Sequence, residues 1–253
     1  MKKHIALFGT TLLLGSLLGG TGVLAQEKTQ TEANPKTATT SVTGQLQLSE
    51  DGGFNPNVPS PSLNEKTNVP EDSYFGIAYK PSTFNIGNVA LADTNTDQFI
   101  VMQGQSSDVT KADNNGEAFH VAVKDKRRTD NGNWALKVKL DSEIEEDLGI
   151  SIKTNTLADS VKRNINNGSE DFTSGHLIEQ VKKDGTNKEV TNVAGLTITT
   201  TDSNVMETVN GKFVNGVYDL KLPQVELHIP DASKVKAQQL DTNVTWTLTN
   251  AAE

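Results

Sequence analysis

The two tryptophans of this chain lie in short segments that share an alternating pattern, and these segments constrain the fold more than any other part of the sequence. Trp134 is followed two residues later by Leu136, and Trp246 is followed by Leu248. Residues i and i+2 of an extended strand point to the same face, so each tryptophan shares a face with its leucine. The pattern predicts two half-buried strands. We expect these strands to close one common core.

Each tryptophan has two possible uses in such a strand. A large aromatic ring on the apolar face of a strand contributes a large area to the core. The other interpretation is an exposed platform that stacks on the face of a sugar ring. The alternation favours the core, and the platform stays open as the alternative.

The first 25 residues have the pattern of a secretory signal peptide. Lys2 and Lys3 precede an apolar run from Ile5 to Leu18, and the segment ends in Val23, Leu24 and Ala25. The run is shorter than the roughly 18 residues that a membrane span needs. We therefore expect cleavage after Ala25 and a secreted protein with no membrane span.

Charge and cysteine content exclude several classes of function. Removal of residues 1–25 takes away two lysines and no acid, which leaves 21 basic and 32 acidic residues and a net charge of −11. So acidic a protein does not bind nucleic acid through its overall charge. The chain has no cysteine, which excludes disulfides, a thiol nucleophile and a lipid anchor on cysteine. We expect any attachment to a cell surface to be non-covalent.

Composition divides the rest of the chain into two parts. Residues 26–72 are rich in Thr, Asn and Pro and poor in large apolar side chains, which is typical of a mobile linker. Residues 42–48 alternate like a strand, and they either join the edge of a sheet or belong to the linker. Residues 73–253 are predicted to form a single domain.

The domain is predicted to be all-β and mainly antiparallel. About ten short apolar segments separated by turn residues indicate an Ig-like or jelly-roll-type β-sandwich with little helix, and a barrel is the alternative. Asn131-Gly132 separates the alternating segment that begins at Phe119 from the one that begins at Trp134. This dipeptide is typical of a tight hairpin, so we expect these two strands to pair. Residues 156–166 have apolar residues at helical spacing and are predicted to form a short helix.

No catalytic or metal-binding motif is present in the sequence. There is no nucleophile elbow, no phosphate-binding loop and no zinc-protease motif. His120 and His228 lie opposite the apolar face of their strands and are predicted to face solvent. The segment from Asp93 to Asp97 lacks the glycine and glutamate that a calcium loop requires. We expect no enzyme activity, no cofactor and no metal, and we interpret the acidic run 141–147 as a solvated loop.

The densest positive cluster in this acidic chain is formed by four neighbouring residues: Lys124, Lys126, Arg127 and Arg128. One interpretation is an exposed turn in which Asp125 pairs with an arginine. The other is a local patch that binds wall phosphates or peptide carboxylates. The sequence leaves both interpretations open.

These features together resemble a known family. A cysteine-free chain with a predicted signal peptide, with Asp125-Lys126-Arg127 ahead of Trp134-Ala135-Leu136, and with Thr245-Trp246-Thr247-Leu248 at its end, is similar to the WxL-domain surface proteins of Gram-positive bacteria. The order of the two motifs makes the resemblance specific. It covers roughly residues 74–253.

The resemblance implies a secreted protein that attaches non-covalently to peptidoglycan in the cell wall. It also implies that Trp134, Leu136, Trp246 and Leu248 are the residues that define the domain or bind the wall. The alternative is a structural or adhesive subunit that docks with other surface proteins or with host matrix proteins.

Overall fold

The computed structural model describes residues 32–47, 53–70, 73–106, 117–129, 132–180, 188–209 and 214–250. The predicted signal peptide, residues 1–25, lies outside the described residues. The chain divides into two compact units, Met1–Leu46 and Gln47–Glu253. The described residues of the first unit contain no strand or helix, and Val42 and Leu46 are exposed. Of the alternating segment 42–48, residues 42–47 do not adopt a strand conformation; Leu48 lies outside the described residues.

The second unit contains all the strands of the described residues. They are β1 (Asn64–Lys66), β2 (Phe75–Pro81), β3 (Gln98–Val101), β4 (Phe119–Thr129), β5 (Trp134–Leu140), β6 (Ser151–Thr154), β7 (Lys162–Asn164), β8 (Leu177–Ile178), β9 (Val190–Thr191), β10 (Leu196–Ile198), β11 (Ser203–Thr208), β12 (Val214–Leu222), β13 (Glu226–Ile229) and β14 (Val244–Asn250). Two 3-10 helices of three residues each, Ser174–His176 and Ala232–Lys234, are the only helices in the described ranges.

The strands form three antiparallel sheets. The largest has the order β1-β2-β4-β12-β7-β8, and the two smaller ones have the orders β10-β6-β13-β3 and β14-β5-β11-β9. Apolar side chains from all three sheets, among them Val121, Leu136, Ile152 and Leu220, form one buried cluster. The prediction of an all-β sandwich with little helix is confirmed.

The two Trp-x-Leu strands are direct neighbours in one sheet. β14 pairs with β5 along its whole length, with Trp246 opposite Val138 and Leu248 opposite Leu136. Every second residue of β5 is buried, and Trp134 is 1% exposed. Trp246 and Leu248 are half-buried and pack against the same core. The expectation that both strands close one common core is confirmed.

The predicted hairpin between β4 and β5 is wrong. β4 has β2 on one edge and β12 on the other, whereas β5 lies between β14 and β11 in another sheet. Each strand has two edges, and both edges of both strands are already paired. The chain instead crosses between sheets, and the Trp134 amide donates to Thr208 Oγ1 at 2.9 Å. Asn131 itself lies outside the described residues.

The helix predicted over residues 156–166 is replaced by strand β7. Lys162 and Arg163 pair with Asp219 and Tyr218 of β12. The Asn164 side chain accepts a hydrogen bond from the Asn166 amide at 2.9 Å. Such local bonds from asparagine compete with helical hydrogen bonds, so the apolar spacing does not decide the conformation.

The folded part of the chain also begins earlier than residue 73. β1 pairs with β2, and Asn64 lies opposite Pro81. The buried Asn64 side chain donates to Ala118 O at 2.8 Å and accepts from the His120 amide at 2.8 Å. Polar contacts rather than apolar burial hold this segment, which explains why composition alone assigns it to the linker.

Candidate functional site

The tryptophans of the Trp-x-Leu motifs are packed against the protein itself. The Trp134 ring lies 6.2 Å from the Tyr218 ring, and its Nε1 is buried without a hydrogen-bond partner in the described part of the chain. Trp246 lies on β14 at the edge of its sheet. Trp134 cannot stack on a sugar while the sheet is intact, so a surface that contacts a ligand must lie elsewhere or include only the exposed part of Trp246.

The predicted basic patch does not form a single surface. Lys124 is 0% exposed, which corrects its assignment to an exposed patch, because β4 is covered on both faces at this point. Arg127 binds the buried Asp125 carboxylate through two guanidinium nitrogens at 3.0 and 2.8 Å. The pairing of Asp125 with an arginine is therefore confirmed. Arg128 is exposed and Lys126 is half-buried.

The two lysines of the cluster hold a segment that precedes β1, residues 53–61, which we call the strap. Lys124 Nζ donates to Gly53 O at 3.2 Å and to Asn55 Oδ1 at 2.9 Å. Lys126 Nζ donates to Phe54 O at 2.9 Å and lies 3.1 Å from the centre of the Phe54 ring. These charge-assisted and cation–π contacts fix the strap on the sheet.

The strap is also tied to the loop that follows β7. The Asn57 amide donates to Asn166 Oδ1 at 2.8 Å, and the Asn57 side chain donates to Gly168 O at 3.3 Å and to Glu170 O at 2.7 Å. Gly168 has a φ of 80°, and a Cβ atom there would collide with the Asn55 carbonyl. Only glycine satisfies both the backbone conformation and this close approach.

The strap and this loop border a cleft on the outer face of the six-stranded sheet. Tyr218, Leu220 and Leu222 of β12 belong to the core, so Asp219 and Lys221 face the opposite side. The cleft has a volume of about 1500 Å³. Its lining includes Lys66, His120, Lys162, Phe172, Asp219 and Lys221.

His120 and Asp219 form a buried pair in this cleft. His120 Nδ1 lies 3.0 Å from both carboxylate oxygens of Asp219, and the two residues are 5% and 2% exposed. The prediction that His120 faces solvent is wrong. His228 is also buried, stacked on Phe99 and 3.2 Å from Asp97. Both strands are covered on both faces, so the alternation no longer separates buried positions from exposed ones.

A chain of hydrogen bonds fixes the orientation of the His120 ring. Asn164 Nδ2 donates to the Tyr79 hydroxyl at 3.0 Å, and that hydroxyl donates to Asp219 Oδ2 at 2.7 Å. Burial and the Asp219 charge raise the pKa of Tyr79 well above its ordinary value, so the hydroxyl stays a donor. Asp219 therefore accepts from both neighbours, and His120 carries its proton on Nδ1 when the ring is neutral.

The other ring nitrogen of His120, Nε2, has no hydrogen-bond partner among the described residues. This atom is not fully buried. It can therefore accept a hydrogen bond from a ligand in the cleft. No serine or threonine hydroxyl of the described residues is bonded to it, so these residues contain no Ser-His-Asp arrangement around His120.

Sequence reasoning identified neither the cleft nor its lining. The only available signal is the alternation of β12, which places Asp219 and Lys221 on one face. Tyr79, Asn164 and Lys162 join them through pairings between distant segments. Within the described residues, no group of three or more His, Asp or Glu side chains is arranged to hold a metal ion. Among the same residues, no helix is long and apolar enough to cross a bilayer.

Comparison with known protein families gives one result. The family model described as WxL domain, surface cell wall-binding, matches residues 26–251. The chain belongs to this family. The WxL domain is a binding domain rather than an enzyme, and it associates proteins with the cell wall at the surface. Comparison with curated proteins and comparison with solved structures gave no match.

Proposed function

We propose that this WxL protein is secreted and attaches non-covalently to peptidoglycan in the wall of a Gram-positive cell. The observation that carries the proposal is the family match, which covers almost the whole chain. The match begins at Gln26, one residue after the predicted cleavage position. This boundary is expected if the signal peptide is removed during export, before the protein binds the wall.

Packing limits which surfaces can make the attachment. Trp134 and Leu136 are in the core and support the domain. The wall contacts are then made by other residues, which can include the exposed part of Trp246. Of the predicted basic patch, Arg128 is the member whose side chain faces solvent. Repeated contacts to a polymeric wall would give strong retention even when each contact is weak.

The alternative is a structural or adhesive subunit that docks with other surface proteins or with host matrix proteins. β14 favours this reading, because it lies at the edge of its sheet. A free edge can accept a strand from another protein. Adhesion by this route would not require peptidoglycan.

A sedimentation assay with purified peptidoglycan, stripped of teichoic acid, separates the two functions. We expect the protein to sediment with the peptidoglycan, and to stay in the supernatant when the peptidoglycan is omitted. An Arg128→Glu variant tests the exposed member of the basic patch in the same assay. A folded protein that stays in the supernatant, but binds intact walls that retain their proteins, would favour the docking subunit.

A further inference from the structure

Three lysines line the cleft, and none of them forms an ion pair with another described residue. Lys66, Lys162 and Lys221 line it, and none lies within 4.0 Å of a carboxylate oxygen in the described part of the chain. Elsewhere in this acidic protein lysines find such partners, as Lys80 does with Glu65 and Lys234 does with Asp231. No described carboxylate occupies these ammonium groups, so they can bind a negative ligand.

Of the three carboxylates that line the cleft, two already accept hydrogen bonds from the protein. Asp219 accepts from His120 and Tyr79, and Glu117 accepts from the Ser62 hydroxyl at 2.5 Å. Asp171 remains as an exposed carboxylate at the rim. The cleft therefore offers cationic sites on the sheet and a negative site in the loop wall.

His120 adds a site of a different kind. Its Nε2 accepts a hydrogen bond when the ring is neutral, and the carboxylate behind it fixes the direction of that bond. A ligand that satisfies both His120 and the lysines carries an N–H or O–H donor close to a carboxylate or phosphate. Amide N–H groups and carboxylates alternate in this way along an acidic peptide.

The size of the cleft indicates an extended ligand. Pockets for small molecules occupy about 300–1000 Å³, and this cleft exceeds that range at about 1500 Å³. Val58 of the strap and Phe172 of the opposite wall provide apolar surface for aliphatic side chains. A segment of a polymer fits the cleft better than a single metabolite.

Resting on the proposed attachment to peptidoglycan, we propose that this cleft binds the stem peptides of that polymer through their carboxylates. Stem peptides carry carboxylates for Lys162 and Lys221, amide donors for His120, and an amine that suits Asp171. A glycerol phosphate polymer has no amine for Asp171, and its phosphates would be repelled by Asp171 and Glu117. Both ligands are negatively charged. The cleft presents lysines together with carboxylates, and this combination favours the peptide.

The test uses the full chain with a Lys162→Gln and Lys221→Gln double variant. The matched control is Lys137→Gln with Lys139→Gln, since these half-buried lysines of β5 also form no ion pair in the described residues but do not line the cleft. The probes are the soluble peptide L-Ala-γ-D-Glu-L-Lys-D-Ala, the same peptide with amidated carboxylates, and a glycerol phosphate oligomer. Calorimetry measures binding, and circular dichroism verifies that each variant is folded.

We expect the cleft variant to bind the soluble stem peptide about tenfold more weakly for each lysine removed, because a charge-assisted hydrogen bond is lost. The control variant should bind like the unmodified chain, and amidation of the peptide should weaken binding to the same extent. Equal binding by the cleft variant would overturn the proposal, as would a failure of the unmodified chain to bind the peptide. Preference for the glycerol phosphate oligomer would assign the cleft to phosphate polymers instead.

Sedimentation with stripped peptidoglycan keeps this proposal separate from the proposed function. If the unmodified chain sediments but does not bind the soluble peptide, the protein attaches through another surface and the cleft assignment is wrong. If the unmodified chain binds the soluble peptide in a lysine-dependent manner but does not sediment, the cleft assignment holds and wall attachment fails.

Discussion

Replacement of Trp134 by alanine should destabilise the domain rather than remove a ligand contact. The side chain is 1% exposed in the central position of its sheet, between β14 and β11. A buried tryptophan removes about 150–250 Å² from water, which at about 25 cal/mol per Å² gives an upper bound of roughly 4–6 kcal/mol. Measured truncations of this kind cost about 3–5 kcal/mol. We expect a loss of about 4 kcal/mol of unfolding free energy.

Two further variants separate packing from binding. Trp246 is half-buried on the edge strand, so Trp246→Ala should cost about half as much, roughly 2 kcal/mol. Trp134→Phe keeps most of the ring and removes the unpaired buried Nε1 donor. Its cost should stay below about 1.5 kcal/mol, because loss of area is offset by relief of an unsatisfied group.

Urea unfolding followed by far-ultraviolet circular dichroism measures these changes without depending on tryptophan fluorescence. Retention on peptidoglycan is measured at a temperature where each variant is folded. The packing argument predicts that folded Trp134→Phe binds like the unmodified chain. It would be refuted if Trp134→Ala lost less than about 1 kcal/mol, or if Trp134→Phe abolished retention at full stability.

Three other perturbations test the contacts that hold the site. Asn57→Ala removes two side-chain hydrogen bonds to the loop after β7, so hydrogen exchange of the strap amides should accelerate by about tenfold. Arg127→Lys replaces the fork that binds buried Asp125 and should lower the unfolding free energy by about 2 kcal/mol in urea melts. Burial raises the pKa of Tyr79 and of Tyr218 above their ordinary value near 10. The native state therefore keeps protons that the unfolded chain loses, and stability should fall above pH 10 by about 1.4 kcal/mol per pH unit for each tyrosine, as measured by urea melts across that range.

Each of these three predictions has a result that would contradict it. Strap exchange that is unchanged in Asn57→Ala would show that the contacts of Lys124 and Lys126 and the Asn57 backbone amide are sufficient to hold the segment. Equal stability of Arg127→Lys would show that a single ammonium satisfies Asp125. A Tyr79→Phe variant should lose part of the alkaline slope, and an unchanged slope would assign it to other groups.

Local pattern was sufficient where one face of a strand is buried. The alternation in β5 predicts both its strand conformation and its buried residues. The family resemblance and the all-β class follow from the same local signals. Alternation is informative because successive side chains of a strand point to opposite sides.

The failures share a physical reason, which is that strand pairing joins distant parts of the chain. Asn131-Gly132 indicates a hairpin only when the flanking strands have free edges, and β4 and β5 are each paired on both sides by other segments. The strand β11 has a weak signal in the sequence although it pairs with β5, because it contains only two buried apolar residues, Val205 and Met206. Its conformation is stabilised by the partner strand.

The sequence itself determined that the two Trp-x-Leu segments are strands of one core. Their apolar residues recur at every second position and their tryptophans are large, which leaves few other arrangements. The cleft was decided only by the tertiary structure. It depends on the strap, whose Val58 packs on the outer face of the sheet, and on the burial of His120 and Asp219 at positions that alternation assigns to solvent. Burial of a polar residue is favourable only when its partners are in place, and those partners come from β2, β7 and β12.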